Sequence, residues 1–142
     1  MISLFKNKEK NTVSDNKTFS NIAALLIHVA KIDENYEEKE KEIIKKTLME
    51  LGAEKSDIDK LVSEAAVIEE NSNQILNFTR EVKNASESDK IRIIESLWKI
   101  IYSDDYADIY ETNLMRRLAG LLYIDAKIMG DLKEKVKKEL KK

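Results

Sequence analysis

Not one proline interrupts this chain of 142 residues, and only three glycines, Gly52, Gly120 and Gly130, punctuate it. Proline breaks helices through its missing N–H and its ring, glycine through the entropy of its backbone. A chain that nearly lacks both is free to stay helical, and its apolar residues say where. Phe19, Ile22, Ala23, Leu26 and Ala30 recur at helical spacing. Leu25, Ile27, Val29 and Ile32 make the same segment apolar on most other sides, which predicts a central helix. Ile43, Ile44, Thr47, Leu48 and Leu51 mark a second helix, and Gly52 suits its C-terminal cap. Ser56 is a candidate N-cap for a third, over Ile58, Leu61, Val62 and Ala65. Ile75, Leu76, Phe78, Thr79 and Val82 mark a fourth, and Ile91, Ile94, Leu97, Trp98 and Ile101 a fifth. The sixth holds Leu114, Met115, Leu118, Leu121 and Leu122. Asp125 can cap a seventh, docked by Ile128, Leu132, Val136 and Leu140. No segment alternates as a half-buried strand does. The fold class is all-α: one bundle of about seven helices over residues 19–142, preceded by a loose polar arm at 1–18.

Composition narrows the function. Apolar residues make up 42% and charged residues 37%, a balance that fits a folded helical domain. Cysteine is absent, which removes disulfides, thiolate metal sites and thiol nucleophiles. A net charge of −2 argues against a general nucleic-acid binder, which needs a basic face. No apolar run approaches the ~20 residues of a membrane span, and the N-terminal "MISLFKNKEK" is too short for a signal-peptide core. A cytoplasmic protein is the expectation, with peripheral membrane contact by residues 1–10 the weaker reading. No glycine-rich phosphate loop, dinucleotide fingerprint or nucleophile–base pair is visible, so neither an enzyme nor an organic cofactor is expected.

The acids are not scattered evenly. Residues 33–42, "DENYEEKEKE", carry six acids against two lysines, whereas the tail from Lys127 to Lys142 carries seven lysines against three acids. Asp33, Glu34, Glu37 and Glu40 form one cluster, and Asp104, Asp105, Asp108 and Glu111 repeat its spacing 71 residues later. An apolar helix precedes each cluster and an amphipathic one follows. Ile43, Ile44, Lys45 and Lys46 meet Leu114, Met115, Arg116 and Arg117 in the same register. The chain reads as two helix–acidic loop–helix units, an internal pseudo-twofold repeat.

Crowded carboxylates need an offset. Like charges four apart on a helix cost about 0.2–0.5 kcal/mol per pair. A helix N-terminus returns about 0.3–1 kcal/mol for each well-placed acid, so capping alone can balance the clusters. The alternative is a divalent cation held by Asp33, Glu37, Glu40, Asp104, Asp108 and Glu111. Oxygen ligands from a loop and a first helical turn suit Ca²⁺ or Mg²⁺ better than Zn²⁺. An EF-hand does not fit, because its turn glycine is missing and Ile44 stands at the twelfth position. A di-iron site does not fit either, with one histidine, His28, in the whole chain. His28 lies on the more polar side of the first helix, and Trp98 reads as core. Arg116 and Arg117 read as surface groups able to pair with an acidic cluster.

The segments "VAKIDENYEEKEKEI" and "IIYSDDYADIYETNLMRRLAGLLYI" resemble the two signature segments of the tellurite-resistance TerB family. "ILNFTREV" and "IIESLWKI" are similar to its stand-alone bacterial branch. The resemblance spans roughly residues 19–138 and implies a bundle of about seven helices with pseudo-twofold character. It also implies an acidic metal site at Asp33 and Glu40, and at Asp104 and Glu111. Glu34 and Asp105 stand where the family often has glycine, and Ser103 where it has alanine. Two functions follow as expectations. One is a non-catalytic module that binds a divalent cation and acts through a protein partner in stress- or envelope-associated responses. The other is a structural interaction bundle whose acidic loops are caps or a docking face for a basic partner.

Overall fold

Helix follows apolar spacing through the chain. A computed structural model describes the backbone of residues 2–32, 37–72, 76–104 and 109–140, and the side chains of 17–32, 37–72, 78–80, 82–103 and 112–140. Among these residues there are seven α-helices and no strand. They are α1 (Ile2–Ile32), α2 (Glu38–Glu50), α3 (Ile58–Glu70), α4 (Leu76–Val82), α5 (Glu87–Ile101), α6 (Ile109–Leu121) and α7 (Ala126–Leu140). The all-α expectation holds. The backbone of residues 2–18 is helical and continuous with the rest of α1. No proline or glycine lies in that stretch to end the helix.

The core is built around α1 and α5. Between Ile22 and Ala30 every residue except His28 is buried, as its all-round apolar character requires. α1 packs most extensively on α3 and α4, α5 most extensively on α7, and both touch α2 and each other. Across α2 and α5 the Thr47 and Ser96 hydroxyls share a buried hydrogen bond. Thr47 Oγ1 donates to the Ile43 carbonyl, so Ser96 supplies the proton between the two side chains. Trp98 is core as expected, and its indole N–H donates to the Met129 carbonyl at 3.2 Å.

Two details depart from the sequence reading. Ser56 falls inside a 3-10 turn, Lys55–Asp57, and Asp57 is the N-cap of α3. In α7, Met129, Leu132 and Val136 are buried while Leu140 is 45% exposed. A four-residue spacing turns by about 40° per step on a 3.6-residue helix, so its last member rotates off the buried face. Asp125 does cap α7, accepting from the Lys127 amide at 2.7 Å.

The repeat extends beyond the acidic loops. α2 and α6 are each 13 residues long, and Glu38 precedes Ile109 by the same 71 positions. Both helices end alike. Gly52 (φ +112°) donates to the Met49 carbonyl and Ala53 to that of Leu48. Tyr123 (φ +60°) donates to the Gly120 carbonyl and Ile124 to that of Ala119. Each pair is a Schellman cap. Beyond the caps the buried residues Ile58, Leu61 and Ala65 of α3 match Met129, Leu132 and Val136 of α7. The protein is therefore two three-helix repeats, α1–α3 and α5–α7, joined by α4.

Candidate functional site

Glu40 sits in the first turn of α2, four residues before the fully buried Ile44, so it lies in register with the core stripe rather than with the solvent face. It is completely buried. Its Oε1 accepts the Glu37 amide at 2.9 Å, the returning arm of a capping box. Its Oε2 is buried and has no hydrogen-bond partner among the described residues. A buried acceptor left unpaired costs about 1–3 kcal/mol, more if charged. Glu37, at the N-cap of α2, is exposed.

The first turn of α2 also reaches the other repeat. Lys39 Nζ donates at 2.8 Å to the carbonyl of Ser103, in the 3-10 turn Tyr102–Asp104 that leads into the second acidic loop. A cation at the end of α5 complements the helix dipole there and stands beside both acidic segments. The described flanks of the two loops thus meet at one end of the bundle. Ser103 secures its own turn by donating its hydroxyl to the Ile100 carbonyl.

Of the six acids expected as ligands, Glu37 and Glu40 are described fully. Asp104 and Glu111 are described in backbone only, and Asp33 and Asp108 lie outside the described residues. Among the described residues no group of three or more His, Asp or Glu side chains is disposed to hold a metal ion. Neither Arg116 nor Arg117 has a carboxylate partner among them; Arg116 bonds to Asn113 at 3.4 Å.

Two participants went unread in the sequence. Lys39 gave no signal, because its partner is 64 residues away. Glu69 gave one: it follows Ala65 by four and so continues the buried stripe of α3. It receives both His28 Nδ1 at 3.1 Å and Lys31 Nζ at 2.8 Å, which ties the end of α1 to α3. The imidazole also packs on Phe78, ring centroids 5.4 Å apart.

Two matched three-helix repeats, each interrupted by an acidic loop at the same place, define a class of small helical module. The family model described as "Tellurite resistance protein TerB" matches residues 19–134, most of the chain, and the protein belongs to that family. Comparison with curated proteins and with solved structures returned no match. No described helix is long and apolar enough to cross a membrane.

Proposed function

We propose that the protein is a non-catalytic module that binds a divalent cation where its two acidic loops adjoin and passes that state to a protein partner in a stress or envelope response. The observation that carries this reading is Glu40 Oε2 in the first turn of α2, a buried carboxylate oxygen without a partner among the described residues. A hard cation is the natural complement to such an oxygen, and the other acids of the two loops fit its ligand preference. Asp33, Glu37, Glu40, Asp104, Asp108 and Glu111 are the proposed holders, with Ca²⁺ or Mg²⁺ the ion.

The second reading, caps without metal, is favoured by the Glu37–Glu40 capping bond and by Lys39 supplying a fixed cation beside the acids. Calorimetric titration with Ca²⁺ and with Mg²⁺ separates the two. On the metal reading one ion gives saturable heat and raises the melting temperature. A hundredfold excess over Kd is worth about 2.7 kcal/mol of stability. Glu40→Gln, and Asp104→Asn with Glu111→Gln, should remove both responses. No heat and no shift in melting for either ion would leave the clusters as caps or a docking face.

A further inference from the structure

The 71-residue register lets the two halves be compared position by position, and one of their differences leaves a cleft. Where α6 and α7 meet over α5, a cleft of about 210 Å³ opens, with Trp98, Met115 and Met129 among its lining. Ala119 and Gly130 border it too. In the first half the mate of Ala119 is Leu48, fully buried, and the mate of Gly130 is Asp59. There Asp59 Oδ1 meets Lys45 Nζ at 3.3 Å, and that bridge ties α2 to α3.

The second half keeps the cation and loses the carboxylate. Lys45 corresponds to Arg116, which is exposed at the cleft and, among the described residues, bonds only to Asn113 on its own helix. Gly130 offers no side chain, and a Cβ built there would meet nothing within 4 Å. Lys133 Nζ stands 5.7 Å from the centroid of the Trp98 ring, with no carboxylate partner among the described residues. An apolar recess is left with two cations beside it.

We propose that this cleft docks an acidic peptide segment of a partner protein through one large apolar side chain. Size decides against a whole small molecule, because ligand pockets usually span about 300–1,000 Å³. The space here equals about seven waters at ~30 Å³ each, enough for a single anchor side chain. Charge decides the flanks of the anchor. The Arg116 fork and the Lys133 ammonium pair with carboxylates on either side of it, and a lysine-rich segment is repelled. The inference does not rest on cation binding, so a protein that ignored Ca²⁺ would still bind here.

The chain has one tryptophan, and it lines the cleft, so Trp98 emission reports occupancy. The probe is a synthetic nine-residue peptide of Asp and Glu around a central Phe. Two controls replace the Phe by Ser or the acids by Lys. The acidic Phe peptide should change Trp98 emission saturably, and each control should bind at least tenfold more weakly. Arg116→Glu with Lys133→Glu should weaken the acidic peptide at least tenfold. Ala119→Leu with Gly130→Asp copies the first half and should abolish binding with the helical circular dichroism intact. If that variant fails to fold, Arg116→Glu alone, on the exposed face of α6, decides by the same tenfold criterion. Equal binding of all three peptides, undiminished binding by the variants, or no response to the acidic peptide overturns the proposal. So does self-association of the wild type that the filled cleft removes, which would assign the cleft to a second copy of the chain.

Discussion

Glu69 shows how a single residue can hold two helices at a fixed angle. Burial pushes its carboxyl pKa up, but hydrogen bonds and charge from Lys31 and His28 more than offset this, and the net shift is downward from 4.5. A carboxylate with a depressed pKa contributes stability that is present above its unfolded value, about pH 4.5, and is lost as pH falls through the folded value. Glu69→Gln should therefore lower stability at pH 7 by about 1–3 kcal/mol, since two donors lose a charged acceptor. The gap between wild type and variant should close in urea melts as pH drops below about 4.5. A gap independent of pH would mean that the carboxylate acts only by shape.

At the scale of the element, the two Schellman caps pose the same problem and meet it with different residues. Gly52 at φ +112° takes a backbone that L side chains rarely adopt. Gly52→Ala should cost more than about 1 kcal/mol. Tyr123 accepts φ +60° although the left-handed region costs an L residue about 1–2 kcal/mol. Its ring offers a face to Lys90 Nζ, 5.8 Å from the centroid, worth about 0.5–1 kcal/mol. Tyr123→Gly trades strain relief against that contact and added chain entropy, and should stay within about 1 kcal/mol of wild type. Matched urea melts of the two variants check the contrast. The sequence made the first cap legible, because glycine after an apolar run signals a helix end. The second was not legible, because tyrosine carries no such signal and only the 71-residue register exposes it. Helix existence was readable from apolar spacing, whereas the start of α3 was not, since a 3-10 turn takes up Lys55–Asp57 and moves the N-cap from Ser56 to Asp57. Glu40 was read as an acid of the loop. Its place on the buried stripe, four before Ile44, was present in the spacing and outweighed by the charge around it.

For the whole molecule, α7 closes the second repeat. Its buried Met129, Leu132 and Val136 are each worth about 1.5–3 kcal/mol, a sum comparable to the 5–15 kcal/mol by which a domain is stable. Truncation after Asp125 should abolish cooperative thermal unfolding, and an unchanged melting temperature would show that α7 is dispensable. The contact from Lys39 to Ser103, which joins the flanks of the two acidic segments, is likewise a property of the assembled halves and could not be read from local sequence. The apolar segment Ile22–Ala30 carries a consequence for synthesis. A helix buried on every side has no finished surface until its neighbours exist, and α5 is made about seventy residues later. At roughly 5–20 residues per second, that adhesive segment waits on the order of 4–14 s on the ribosome for α5. Over that interval it must be sheltered by α2, α3 and α4 alone or by a chaperone, so the first repeat is the half whose weakening should show as aggregation during expression.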